Sequence, residues 1–283
     1  MIAADFDYAV AESVDDAIRL LVEHGQTAKL LAGGHSLLPL MKLRFTSPSL
    51  LVDIGRLDEL RGIQPGDDSF RIGALTRHAD LQADGTLGLI AEAASHIADQ
   101  QVRNRGTIGG SLANGDAAAD LPAVILAYGG SVTVRGPGGE RVIEAGDLFE
   151  GYLTTSIAPG EVLTQVRIPS RTGYGWGYEK FNRRAEDWAM VGVSALVRKA
   201  SDGTCEDVRI GLGHMGATPL RATAAEDALR GQPLDEELIA AASELAADGT
   251  DPLGDLNATP EYKRHLARVL CGRALAAATN SMA

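Results

Sequence analysis

LLAGGHSLLPLMK, at residues 30–42, carries the strongest structural signal in the chain. Leu30, Leu31 and Ala32 end a short apolar run, the pattern of a buried strand. Gly33 and Gly34 follow, and a glycine pair permits positive φ and leaves no Cβ between backbone and ligand. Consecutive N–H groups in such a turn converge on an anion, most often a phosphate. The Ser36 hydroxyl adds a donor, His35 stands beside it, and Leu37 opens a second apolar run. Taken alone, the stretch reads equally well as a tight turn between two buried segments.

A second stretch, TIGGSLANGDAAAD at 107–120, shifts the balance. Thr107, Ile108, Gly109, Gly110, Ser111 and Asn114 combine free backbone with small polar side chains. Two such glycine loops, about seventy residues apart, can clamp one diphosphate from two sides. Asp120 is then placed to accept from ribose hydroxyls, as acids do in dinucleotide sites.

Together, AGGHSLLPLMKLR and TIGGSLANGDAAAD resemble the two FAD loops of the medium, flavin-carrying subunit of molybdenum hydroxylases. These are the carbon monoxide dehydrogenase and xanthine dehydrogenase relatives. The resemblance extends to YEKFNRRAEDWA at 178–189 and ATPLRA at 217–222, and so over nearly the whole chain. It implies a noncovalently bound FAD, held by Leu31 to Leu37, by Thr107 to Ser111, and by Asn114 and Asp120. It further implies that Lys180 approaches the flavin, that Trp188 lies against the isoalloxazine, and that Leu163 and Asp187 belong to the flavin surroundings. On composition alone, the cluster of Lys180, Arg183, Arg184, Asp187 and Trp188 also fits a solvated strand face. Two positions depart from the family: Ile97 stands where xanthine dehydrogenases have an aromatic, and Ser111 where many relatives have asparagine.

Composition narrows the field. The chain has 283 residues, enough for two domains, with 45% hydrophobic and 23% charged residues, as in globular proteins. A net charge of −12 argues against nucleic-acid binding, which needs a basic patch. The two cysteines, Cys205 and Cys271, are too few to hold an iron–sulfur cluster alone. His78, His96 and His265 lack metal-ligand spacing. The first residues show no basic region followed by an apolar core, and no run is long enough to span a membrane, so a cytoplasmic location is expected.

Read in order, the chain predicts an α+β protein. A strand at 6–8, a helix capped by Ser13 and stopped by Gly25, and strands at 28–32 and 50–54 form a βαβ unit. Ala17, Leu20, Leu21 and Val22 are expected on that helix's apolar face. Short strands and turns are expected from 60 to 80, including SFRIGALTRHADL, then a helix from Leu87 to Ala98 and another from Pro122 to Tyr128. A hairpin is expected around GPGG at 136–139, and a strand from Glu161 to Ile168. The turn-rich stretch 169–177 marks a boundary. It separates an FAD-binding domain at 1–170, with subdomains at 1–55 and 56–170, from a smaller C-terminal domain at 175–283.

Residues 211–216, GLGHMG, match a dinucleotide fingerprint but lie before Thr218-Pro219, which stops the required helix. They read as a strand end and turn against the flavin domain. His35 reads as a catalytic base, a flavin attachment point or a residue whose backbone alone matters. The functional expectation is an electron-transfer subunit. Its implied partners are a small subunit with two [2Fe–2S] clusters and a large molybdopterin subunit, in a dimer of heterotrimers. A self-contained flavin reductase or oxidase, and a non-enzymatic assembly module, are the alternatives. Substrate and electron acceptor are not legible.

Overall fold

In the computed structural model, which describes residues 2–282, three sheets organise the chain. Val14, Ala17, Ile18 and Leu21 recur at helical spacing, and α1 (Val14–His24) buries that stripe. Ser13 caps it, its hydroxyl accepting the Asp16 N–H at 3.1 Å, and Gly25 ends it with φ 56°. Val22 is 55% exposed and does not belong to the stripe, because one further residue turns the helix by about 100° from Leu21. The helix packs on a parallel sheet of β1 (Asp7–Val10), β2 (Ala28–Leu31) and β3 (Leu50–Asp53), in the order β1-β3-β2. Asp53 is in register with both Val10 and Leu31, so all three strands end at one edge. The chain leaves β2 there, passes through residues 32–36 and enters α2 (Leu37–Lys42).

The second sheet is antiparallel. It holds β4 (Ile63–Pro65), β5 (Ser69–Gly73), β6 (Ser131–Gly136), β7 (Gly139–Glu144) and β10 (Val162–Pro169), in the order β4-β5-β10-β6-β7. A small ribbon, β8 (Phe149–Gly151) with β9 (Thr154–Thr155), lies before β10. The hairpin falls where GPGG predicts it, Gly136 opposite Gly139. Three expectations change. SFRIGALTRHADL is strand only to Gly73, and α3 (His78–Ala83) follows. The helix predicted from Leu87 is α4 (Leu89–Ser95), because Gly88, at φ 51°, separates it from the preceding turn. After α5 (Gln100–Arg103), the second glycine stretch is a helix, α6 (Ile108–Asn114), and not a loop.

The cause is local and tertiary together. The Thr107 hydroxyl caps α6 by accepting the Gly110 N–H at 3.1 Å. Ile108 and Gly109 N–H groups donate to Thr76 O at 3.1 Å and Ala74 O at 2.9 Å. A Cβ on Gly109 would lie 2.7 Å from Ala74 O. The glycine permits close packing, and that contact overrides a helix-propensity cost of about 1 kcal/mol.

After α7 (Asp120–Tyr128), α8 (Ala145–Leu148) and the second sheet comes a four-stranded antiparallel sheet: β11 (Tyr174–Phe181), β12 (Val191–Lys199), β13 (Cys205–Gly213) and β14 (Leu220–Arg221). Helices α9 (Thr223–Leu229), α10 (Glu236–Glu244) and α11 (Pro260–Asn280) follow. β12 is buried on both faces. Val191, Val193, Ala195 and Val197 pack with Leu270 and Ala274 of α11, while Leu196 joins the core that contains Leu121 and Ile125 of α7. The GLGHMG stretch ends β13, and Gly211 faces α7: a Cβ there would sit 2.2 Å from Ala123 O. Gly211→Ala is therefore expected to push the third sheet off α7 and destabilise the chain by about 1–3 kcal/mol, read as a lower urea midpoint.

Candidate functional site

The edge where β1, β2 and β3 end carries the first glycine stretch. Gly34 holds φ 79°, which an L side chain resists. The N–H groups of Gly33, Gly34, His35, Ser36 and Leu37 donate to no atom of the described residues. The Ser36 hydroxyl caps nothing. Five successive free donors in one turn form a backbone cradle for an anion. Gly33 is tightly placed: a Cβ would lie 2.5 Å from Arg105 O and 2.8 Å from the Gly106 Cα. The two sequence stretches thus meet backbone to backbone just before Thr107.

The second stretch does not mirror the first. The N–H groups of Ile108, Gly109, Gly110 and Ser111 are all satisfied within the protein. Ile108 is fully buried and the Thr107 hydroxyl is engaged as a cap. What α6 offers is its polar face, Ser111 and Asn114 three residues apart, both partly exposed. A symmetrical clamp from two loops is replaced by one free cradle beside one polar helix face.

Beside the cradle is a cavity of about 250 Å³ lined by Leu31, Ala32, Asp53, Gly55, Arg56, Arg77 and Arg105. Three arginines line it in a chain of net charge −12. Burial, then the charges of Arg61 and Arg105, lowers the Arg77 pKa. Arg77 also donates to Arg105 O and so braces the turn packed against Gly33. His35 is exposed at the cradle, its pKa lowered first by partial burial and then by Arg105. The arginines escaped the sequence reading because no local pattern links positions 56, 77 and 105; only the fold brings them together.

At the other end, Lys180 is not on a solvated face. Its side chain is 2% exposed and pairs at 3.0 Å with the Asp120 carboxylate, itself 4% exposed. Lys180 also donates to His96 O at 2.9 Å, and the Tyr178 hydroxyl donates to Asp120 at 2.6 Å. Burial raises the Asp120 pKa, and Lys180 and Tyr178 pull it part of the way back. Both Asp120 oxygens thus already accept from protein donors, unlike the free ribose acceptor the sequence suggests. Trp188 is 55% exposed in the segment between β11 and β12, where Asp187 pairs with Arg184 at 2.8 Å. Leu163 is 6% exposed and lies in the core beneath the second sheet.

Residues 4–171 match the family described as the FAD binding domain in molybdopterin dehydrogenase, and residues 176–278 match the CO dehydrogenase flavoprotein C-terminal domain. The chain belongs to this flavoprotein family. It is 42% identical over 283 residues to the carbon monoxide dehydrogenase medium chain of Hydrogenophaga pseudoflava, covering 98% of each chain. It is also 42% identical over 278 residues to the 6-hydroxypseudooxynicotine dehydrogenase complex subunit alpha of Paenarthrobacter nicotinovorans, covering 96% of this chain and 94% of that one. Among solved structures, carbon monoxide dehydrogenase from Hydrogenophaga pseudoflava, lacking the Mo-pyranopterin moiety of its cofactor, superposes with a TM-score of 0.96 at 43% identity, covering both chains completely. The flavoprotein is an FAD-binding oxidoreductase subunit. Its residues fit that dinucleotide: free N–H groups and three arginines supply the donors a diphosphate needs.

His78 underlies this end of the flavoprotein's site. It is 5% exposed, its Nδ1 has no hydrogen-bond partner among the described residues, and its ring packs against Gly106. Burial, then the neighbouring Arg77, His35 and Arg103, lowers its pKa from 6.5 to about 4. The unfolded chain therefore takes up this proton before the folded one does. The stabilisation is complete above pH 6.5 and is lost as pH falls toward 4, a change of up to about 3 kcal/mol. Urea titrations at pH 7.5 and 4.5 are expected to show a fall in stability that is smaller in His78→Phe.

Proposed function

We propose that this flavoprotein is the FAD-carrying electron-transfer subunit of a molybdenum-containing hydroxylase or dehydrogenase. It accepts electrons from the [2Fe–2S] clusters of a small partner subunit and passes them to an external acceptor. A large molybdopterin subunit completes the heterotrimer, which pairs into a dimer, and the assembly is cytoplasmic. The observation that carries the reading is the run of five free N–H donors at 33–37 beside Arg56, Arg77 and Arg105. Bound FAD supplies an exchange of one or two electrons, which joins one-electron clusters to a two-electron acceptor.

The residues divide the task. Residues 33–37 and Ser36 hold the diphosphate, with the arginines neutralising its charge. Leu31 and Ala32 flank it, and Ser111 and Asn114 hydrogen-bond along the molecule. Lys180, fixed by Asp120 and His96, places its positive charge toward the flavin's pyrimidine end. Trp188 covers the ring, and Leu163 backs the core on which it rests. The division between the FAD domain, 1–170, and the C-terminal domain, 175–283, is supported by the change from the second sheet to the third. Substrate choice lies outside this chain: equal identity to a carbon monoxide and a hydroxypseudooxynicotine dehydrogenase subunit fits a chain that does not choose substrate.

Two measurements test the reading. Gly34→Val, with a strain of about 1–3 kcal/mol at positive φ, is expected to lose FAD while keeping its far-ultraviolet circular dichroism. Full flavin occupancy in that variant would sink the cradle assignment. Lys180→Met is expected to lower the flavin midpoint potential in a redox titration, because reduction adds negative charge beside a lost cation; ~30 mV corresponds to ~1.4 kcal/mol for two electrons.

A further inference from the structure

We propose that His214 is a positioning residue that fixes the Trp188 segment over the flavin site, an inference that rests on the reading of Trp188 just given. His214 is the fourth residue of the GLGHMG stretch, which otherwise only ends β13. Its backbone is left-handed, φ 62°, a conformation uncommon outside glycine but enriched for histidine, asparagine and aspartate. That conformation lets one residue grip two segments. The His214 N–H donates to Ala117 O at 2.7 Å, in the connection between Asn114 and Asp120. Its ring Nδ1 lies 2.7 Å from Ala189 O, the carbonyl next after Trp188.

The hydrogen-bond roles are determined by chemistry. A carbonyl oxygen only accepts, so Nδ1 carries the proton and Nε2 presents its lone pair. Nε2 meets the Lys263 ammonium at 3.2 Å. Lys263 is fully buried, and donates also to Leu253 O at 2.8 Å and Asp255 Oδ2 at 2.7 Å. Three ammonium protons thus have three acceptors, and the imidazole is held on both sides. Among the described residues, the other hydrogen bonds of the Trp188 segment are internal to residues 181–190. Asn182 donates to Ala185 O at 3.3 Å and Asp187 O at 3.4 Å, Arg184 pairs with Asp187, and the Met190 N–H reaches Phe181 O at 2.8 Å. His214 is therefore the hydrogen bond that ties this segment to the connection bearing Asn114 and Asp120.

The test compares His214→Gly, His214→Asn and Trp188→Ala in the holoenzyme, co-expressed with its partner subunits. Glycine accepts φ 62° without backbone strain and deletes the ring, and far-ultraviolet circular dichroism checks that the variant stays folded. Asparagine also tolerates this backbone, and its amide can take the place of Nδ1 toward Ala189 O, while leaving Lys263 short of an acceptor just as glycine does. Flavin content, flavin emission and midpoint potential are recorded for each. Expected is a several-fold rise in emission for His214→Gly toward the Trp188→Ala level, with FAD retained, and recovery of the parental signal in His214→Asn. Parental emission in His214→Gly, or equal change in the glycine and asparagine variants, overturns the positioning role. Parental emission in Trp188→Ala removes the reading of Trp188 and this proposal with it, whereas an altered Trp188→Ala beside a parental His214→Gly removes the proposal alone.

Discussion

The close approach of Gly33 to the Arg105–Gly106 backbone is the constraint from which the site follows. A side chain at 33 would collide with Arg105 O, and the parallel sheet would no longer lie against the second unit. With glycine there, the turn at 33–37 is held open and its N–H groups stay free of protein partners. The same contact brings Arg105 beside Arg56, at the end of β3, and Arg77, before α3. A cation cluster thus forms in an acidic chain without any basic run. Local concentration of positive charge matters more here than net charge, because the arginines line a recess and not open surface.

The Lys180–Asp120 pair sets the opposite end by a different logic. Removing two charges from water is costly, and their attraction often only offsets that cost. Such a pair is weak evidence of stabilisation and better evidence that the geometry is needed. Here the Tyr178 hydroxyl and His96 carbonyl complete it, so each group has more than one partner. The ammonium lies 3.0 and 3.1 Å from the two Asp120 oxygens and 2.9 Å from His96 O, so three protein acceptors surround its three protons. The carboxylate therefore works as the holder of the lysine, a role that its place at the end of a glycine-rich stretch did not reveal.

What is legible in the sequence is mostly local: the βαβ unit, the hairpin at 136–139 and the strand ends. Each rests on periodicity or turn chemistry within a short window. The helix over 108–114 was not legible, since two adjacent glycines argue against helix on propensity. The deciding contact, with Ala74, lies more than thirty residues away in sequence. Arg56, Arg77 and Arg105 were missed for the same reason. The GLGHMG stretch was correctly read as a strand end and turn, yet dismissing it as a nucleotide motif also hid His214. Its importance lies in φ and in two carbonyl partners, neither of which residue spacing encodes. The family resemblance reaches Lys180, Trp188 and Asp120, but not the pairing of Asp120 with the lysine.

On the proposed placement of FAD, the site is composite. The cradle belongs to the parallel unit, the polar helix face to the second, and Lys180 and Trp188 to the third. They are joined through small residues, Gly33 against Arg105 and Gly211 against Ala123, where added volume is resisted directly by backbone. A dinucleotide reaching from the cradle to Lys180 would contact all three units, so its binding energy favours their docked arrangement over any arrangement that separates them. Linkage would work in both directions: if FAD lies as proposed, loosening either glycine contact would weaken its binding even though neither backbone carbonyl touches it. On that reading, cofactor affinity depends on how the three units pack, and the residues that govern it need not touch the cofactor.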